Sequence, residues 1–194
     1  MDNENLSNQQ SLEIITRMIS TAKGNINQGV FHMLLWSWVL IIISLSHFLL
    51  AQFQLFQHPE MAWLLTIPTF IVSFFVGLKK GKSAMVRTHL DYLFMWVWLA
   101  FAATLVLLFI FIYGNWELIN PVILALAGFA TFLSGALIKF KPMMYGAVAF
   151  WLWSLVAFFV GPHYGTLVMA IGIFTGYLLP GYLLKHKSNE SATT

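Results

Sequence analysis

Six apolar runs, each about twenty residues long and uncharged except at its ends, occupy most of the sequence. A helix rising 1.5 Å per residue needs about 20 residues to cross the hydrocarbon core of a bilayer. Because the bilayer core offers no hydrogen-bond partner to the backbone, runs this continuously apolar are expected as helices rather than barrel strands. The sequence therefore predicts an all-helical integral membrane protein. The predicted spans are 30–52, 59–78, 92–113, 120–138, 143–161 and 165–184.

The composition excludes several classes of protein. Hydrophobic residues make up 59% of the 194 residues and charged residues 9%, against about 25% charged in a soluble domain. The chain has too few charges to cover a water-facing surface, and disordered segments have the opposite composition. The absence of cysteine excludes disulfides, cysteine-ligated metals and thiol catalysis. The ten Lys and Arg are too scattered to indicate a nucleic-acid partner.

The positions of these ten basic residues predict the topology. All lie before the first span, between spans two and three, between four and five, or after six, and none lies in the other loops. By the positive-inside rule, both termini are cytoplasmic and the protein lies in the inner membrane. The predicted divisions are a cytoplasmic arm at 1–27, a membrane domain at 28–185 and a polar tail at 186–194.

A Trp-x-Trp pair near the start of each odd-numbered span suggests an internal repeat. The even-numbered spans end in similar basic segments, which predicts three helical hairpins related by an axis along the membrane normal. The alternative is a belt of interfacial tryptophans, which are enriched where helices leave the headgroups. The pairs are Trp36 and Trp38, Trp96 and Trp98, and Trp151 and Trp153.

The arm before the first span has the periodicity of an amphipathic helix over 7–22, and Gly24 is expected to end it. Such a helix would lie on the cytoplasmic leaflet, or it would dock a cytoplasmic protein or a second copy of the chain. The sequence leaves these alternatives open. The apolar face comprises Leu12, Ile15, Met18, Ile19 and Ala22.

His47 is the one ionisable residue expected well inside a span, which makes it a candidate for ligand binding or sensing. Thr66, Pro68 and Thr69 are expected at a similar depth in the second span, where Pro68 would kink the helix. The alternative is a neutral histidine that contributes only to packing. We predict no catalytic or cofactor-binding residues. We also predict no metal site, because His58, His163, Glu60 and Glu117 lack metal-ligand spacing.

Small residues at a spacing of four indicate where helices pack closely, because lipid tails provide no hydrophobic driving force for association within a membrane. One such row lies in the fourth span and a GxxxG motif lies in the sixth, where Pro180 is expected to introduce a kink. The predicted packing residues are Ala127, Thr131, Gly135, Gly172 and Gly176.

Four segments resemble those of an uncharacterised family of six-span membrane proteins from Bacteroidetes. They are SLEIITRMISTAKG, LLWSWVLIIIS, SGALIKFKP and LLPGYLLKHK, and the resemblance covers about residues 10–187. It implies the six-span fold but brings no activity, cofactor or site residue.

Two functions therefore remain as hypotheses. The first is a non-enzymatic sensor, regulatory or assembly module that works through helix packing, with the bilayer and a cytoplasmic protein or a second copy as partners. The second is a transporter or channel for a small neutral or lipophilic solute. The lack of charged residues deep in the spans disfavours ion coupling, and no set of residues indicates an enzyme.

Overall fold

The computed structural model describes the backbone of residues 8–83 and 89–193, and the side chains of residues 29–77 and 92–187. Every element in these ranges is helical. Five segments are long and apolar enough to cross a membrane, as predicted for the fold class: Gly29–Gln52, Pro59–Gly77, Tyr92–Phe111, Trp116–Leu137 and Lys141–Lys187.

The α-helices are α1 (Asn8–Gln52), α2 (Thr66–Ser83), α3 (His89–Phe111), α4 (Ile119–Leu137), α5 (Lys141–Ile173) and α6 (Leu179–Thr193). Two 3₁₀ helices (Pro59–Leu65 and Trp116–Leu118) precede α2 and α4, and a π-helical turn (Phe174–Leu178) joins α5 to α6.

The chain reverses direction inside α5, at Gly161. This residue has φ +77° and ψ −179°, which is not a helical conformation. The residues on either side of it pack against each other in antiparallel order, with Trp153 bonded to Thr175 and Phe150 in contact with Gly176. The 47-residue apolar segment Lys141–Lys187 therefore consists of two helical arms that lie side by side.

α1 is a single helix of 45 residues, and the predicted break after the arm is wrong. Gly24 and Asn25 lie within it, because a weak helix former costs only about 1 kcal/mol and a long helix tolerates it. The predicted arm therefore continues directly into the first span. Residues 1–7, and all side chains of the predicted apolar face at 12–22, lie outside the described residues.

The packing is uneven across the molecule. α4 runs along α5, and the second arm of α5 runs antiparallel to α1, where Phe48 contacts His163 and Leu34 contacts Gly181. α3 packs mainly on α4, and α2 packs mainly on α1 and the first 3₁₀ helix. The main cluster of buried hydrophobic residues comes from α1, α4, α5 and the π-helical turn: Ile41, Leu124, Phe150, Ala157, Val168, Met169, Ile173 and Leu178.

The two prolines that the sequence suggests as kinks lie near the start of a helix. Pro68 lies in the first turn of α2, where a missing backbone N–H is tolerated. Pro180 lies in the first turn of α6, directly after the π-helical turn. Both prolines therefore mark junctions between elements, and Pro68 follows the change from 3₁₀ to α-helix.

Candidate functional site

His47 is hydrogen-bonded to a tryptophan from the 3₁₀ helix that precedes α2. The Trp63 indole Nε1–H donates to the His47 Nδ1 atom over 2.9 Å. The two ring planes are inclined at 75°, and the ring centroids are 6.5 Å apart. His47 is half-buried, and the Trp63 indole also packs against the core cluster. We call this contact the Trp63 anchor.

The turn after α1 brings Trp63 back to His47. The chain leaves α1 through Gln54, which has a left-handed φ of +50°, and the 3₁₀ helix begins at Pro59. Residues three apart lie on the same side of a 3₁₀ helix, so Glu60 and Trp63 share a side. The Glu60 carboxylate is exposed and lies 2.9 Å from the His58 Nδ1 atom.

The two threonines predicted for the ligand site bond to backbone carbonyls and not to His47. The Thr66 hydroxyl donates to the Trp63 carbonyl over 2.6 Å, and the Thr69 hydroxyl donates to the Leu65 carbonyl over 2.8 Å. Pro68 is exposed. The structure therefore joins His47 to Trp63, and Thr66 in turn connects Trp63 to the first turn of α2.

Sequence reasoning missed Trp63. The available signal was weak: Trp63 is one of two tryptophans outside the Trp-x-Trp pairs, and it lies near Thr66 in the chain. Its partner depends on the reversal of the chain between α1 and α2, which hydropathy does not indicate.

A second polar contact joins the middle of α2 to α1. The Ser73 hydroxyl oxygen accepts the Trp36 indole N–H over 3.2 Å and lies 2.8 Å from the His32 Nδ1 atom. We call this contact the Ser73 anchor. It was also missed, because a lone serine in an apolar span gives no indication of its partner.

The remaining histidines and carboxylates of the loops do not converge. His163 bonds to the Gln52 side chain over 2.6 Å and packs on Phe48 and Tyr164. Glu117 lies in the other 3₁₀ helix, before α4. Among the residues whose side chains are described, no three His, Asp or Glu groups are arranged to bind a metal.

The small residues of the predicted packing rows lie against neighbouring helices. An added Cβ atom at Gly176 would lie 2.7 Å from the Phe150 ring and 2.8 Å from the Gly146 carbonyl oxygen. At Gly172 it would meet Leu124 at 3.0 Å, and at Gly135 it would meet Met144 at 3.0 Å. In α4, Thr131 is buried and Ala127 packs on the core cluster.

Each Trp-x-Trp pair has one more exposed and one half-buried member. The more exposed members are Trp38, Trp96 and Trp151, and the half-buried members are Trp36, Trp98 and Trp153. The exposed member is the second of the pair in α1 but the first in α3 and α5, so α1 presents its pair differently from the other two helices. Four of the six indoles also bond to another helix, with acceptors on Ser73, Tyr182, Ala125 and Thr175.

An apolar cavity lies at the side of the bundle. Its volume is about 370 Å³, and it lies between α3 and α4, lined by residues such as Val97, Phe101 and Leu133. Its one hydroxyl, on Thr104, donates to the Ala100 carbonyl over 2.8 Å. Such a cavity suits an alkyl group better than a polar solute.

Comparison with known proteins gives no match: no protein-family model, curated protein or solved structure is similar to this chain. The resemblance to the Bacteroidetes membrane family therefore stays a prediction. Functional inference has to start from the two anchors and the packed core.

Proposed function

We propose that this chain is a six-span, non-enzymatic sensor or regulatory module of the inner membrane, with both termini in the cytoplasm. In this proposal the core of α1, α4, α5 and α6 is a fixed scaffold, and α2 is the element that changes position. The observation that carries the proposal is the way α2 is attached, through two polar anchors rather than through buried apolar packing.

The reversal at Gly161 supports six spans. A straight helix of 47 residues would be about 70 Å long, more than twice the thickness of the hydrocarbon core. With the chain reversed, each arm of Lys141–Lys187 is long enough for one crossing. The ten-to-none distribution of basic residues between alternate loops supports cytoplasmic termini.

Cysteine labelling in intact cells tests this topology. We expect Glu60→Cys to react with a membrane-impermeant maleimide from outside, and Lys141→Cys to react only after the membrane is permeabilised. Both positions are exposed, and the chain has no native cysteine to interfere. Reversed labelling, or equal reactivity at both positions, would contradict the proposed orientation.

A movable α2 is supported by its shallow packing. No residue in the apolar window of Pro59–Gly77, which includes most of α2, is fully buried. The same holds for α3, whereas 44% of the α4 window is buried. Elements with few buried contacts open at low free-energy cost, and moving elements are drawn from this class. Each anchor hydrogen bond contributes about 1 kcal/mol, so a modest signal is sufficient to release it.

Removing both anchors tests the role assigned to α2. We expect Trp63→Phe combined with Ser73→Ala to speed hydrogen exchange in α2 several-fold, with exchange in α4 and α5 unchanged. The free energy of global unfolding should fall by only about 1–3 kcal/mol, since each lost bond is worth about 1 kcal/mol. Thr104→Ala is the matched control, because its hydroxyl bonds only to its own helix. Uniformly faster exchange, or no change in α2, would overturn the proposal.

The alternative function, a conduit for a small neutral solute, is favoured by a different observation. Three buried hydroxyls, of Ser44, Ser134 and Thr166, have no hydrogen-bond partner among the described residues. A solute passing through the bundle would supply such partners. Saturable uptake of a neutral solute into proteoliposomes, abolished by Ser44→Ala, would favour the conduit over the sensor.

A further inference from the structure

We propose that His47 is a proton-binding site through which the protein responds to acidification on the outer side of the membrane. The proposal rests on the sensor function above and names its signal. A proton from the outer water would add to the Nδ1 lone pair of His47, break the Trp63 anchor and thereby loosen the first turn of α2.

The hydrogen bond defines the resting state of His47. An indole N–H can only donate, so the Nδ1 atom that faces Trp63 must present its lone pair. In the resting state His47 is therefore neutral and carries its proton on Nε2. The five residues from His47 to Gln52 place the ring about 8 Å from the end of the span, which is near enough for exchange with the outer water.

Protonation of His47 converts its attraction for the Trp63 indole N–H into repulsion. Both ring nitrogens then carry hydrogen, so two N–H groups would face each other across the present 2.9 Å separation. The steep inclination of the rings also matters, because an indole attracts a cation at its face and repels it at its edge. The cationic ring can therefore keep its position only if the Trp63 side chain moves away.

Glu60 provides a partner for the charged ring. It lies one 3₁₀ turn before Trp63 on the same side of the helix, so its negative charge would attract a protonated His47. The other titratable groups nearby are His58, which is paired with Glu60, and His163, which packs beside α1 and is bonded to Gln52. On protonation, His47 would lose its bond to the neutral Trp63 indole and pair with the Glu60 carboxylate, which lies on the same short helix.

The change reaches α2 through the backbone. The Trp63 carbonyl accepts both the hydroxyl and the backbone N–H of Thr66, the first residue of α2. In the proposal the 3₁₀ helix moves with the released Trp63 side chain, so the bonds to the Trp63 carbonyl turn as well. Among the described contacts, α2 then retains the Ser73 anchor and its weak packing on α1 and on the 3₁₀ helix.

Fluorine NMR of the full-length protein in lipid nanodiscs tests the proposal. All eight tryptophans would be replaced by 5-fluorotryptophan, and the Trp63 signal identified by its loss in Trp63→Phe. Between pH 8 and 5, we expect the Trp63 signal to shift along a single-proton curve, within the range in which imidazole titrates. The signals of Trp151 and Trp153, which lie in the scaffold, should stay in place.

Three variants make the test specific to His47. In His47→Gln the amide oxygen still accepts the indole N–H but does not titrate in this range, so the shift should vanish while the protein stays folded. His58→Gln should keep the transition, because it removes the other histidine of this segment. Glu60→Gln should move the midpoint to lower pH, because the cation loses its counter-charge.

A Trp63 signal that does not respond to pH, or that responds equally in His47→Gln, would overturn the proton-binding site. Release of α2 in the double-anchor variant would still support a sensor that has some other signal. Failure of that release would refute the sensor function itself, so the two failures are distinguishable.

Discussion

Replacing Gly176 by leucine is expected to be among the most damaging single substitutions in the membrane domain. The position faces the Phe150 ring and the Gly146 backbone at distances that exclude even a methyl group. Overpacking of this kind typically costs about 1–3 kcal/mol and occasionally more. We expect the upper end of this range, because the Gly146 carbonyl belongs to the facing helix backbone and cannot rotate away.

The measurement is the midpoint of unfolding by denaturant in detergent, followed by circular dichroism. Gly77→Leu is the matched control, since an added Cβ atom at Gly77 in α2 would meet no described atom within 4 Å. We expect the control to be neutral or slightly stabilising, because leucine is the better helix former. Equal midpoints for Gly176→Leu and the control would show that the two arms of α5–α6 do not pack at the GxxxG motif.

Replacing Gly161 by alanine is expected to destabilise the protein by about 1–3 kcal/mol through backbone strain alone. The combination of φ +77° and ψ −179° is open to glycine, but a Cβ atom makes it costly. A Cβ at this position would meet no other atom within 4 Å, so crowding contributes nothing to the expected loss.

Gly29→Ala serves as the control for Gly161→Ala. It also has open space around the added Cβ, but it lies within helical α1. Here alanine should stabilise the helix by about 0.5–1 kcal/mol. The two substitutions therefore have opposite expected signs in the same unfolding measurement. A stabilising Gly161→Ala would mean that the chain does not reverse at this residue.

Some features of the fold could be predicted because they depend on local composition. The apolar runs identify the spans, since desolvating a backbone requires regular hydrogen bonding in any membrane helix. The spacing of Gly172 and Gly176 indicates close packing for a similarly local reason, because only small side chains let backbones approach. The continuity of α1 through Gly24 was missed, since a weak helix former lowers local stability without fixing a boundary.

The candidate site could be predicted only in part. His47 is conspicuous because an ionisable group inside a span is costly. Its partner Trp63 could not be identified from the sequence. The 3₁₀ helix that carries Trp63 folds back on α1 through a turn whose geometry depends on tertiary packing. The hydroxyls of Thr66 and Thr69 suggested a polar site, yet both bond to carbonyls three or four residues earlier in the chain. Such local bonds occupy the hydroxyl hydrogens, so in this structure neither hydroxyl is available to donate to a ligand.

In the proposed mechanism α2 moves against a fixed scaffold, and paired spin labels measure this movement. Labels at Ile42→Cys and Ile71→Cys report the distance between α1 and α2, and labels at Phe129→Cys and Leu152→Cys report the distance between α4 and α5. All four side chains are exposed, and the native chain has no cysteine. In the Trp63→Phe/Ser73→Ala background, we expect the α1–α2 distance distribution to broaden or shift while the α4–α5 distribution stays narrow. An α1–α2 distribution that does not change when both anchors are removed would contradict the account.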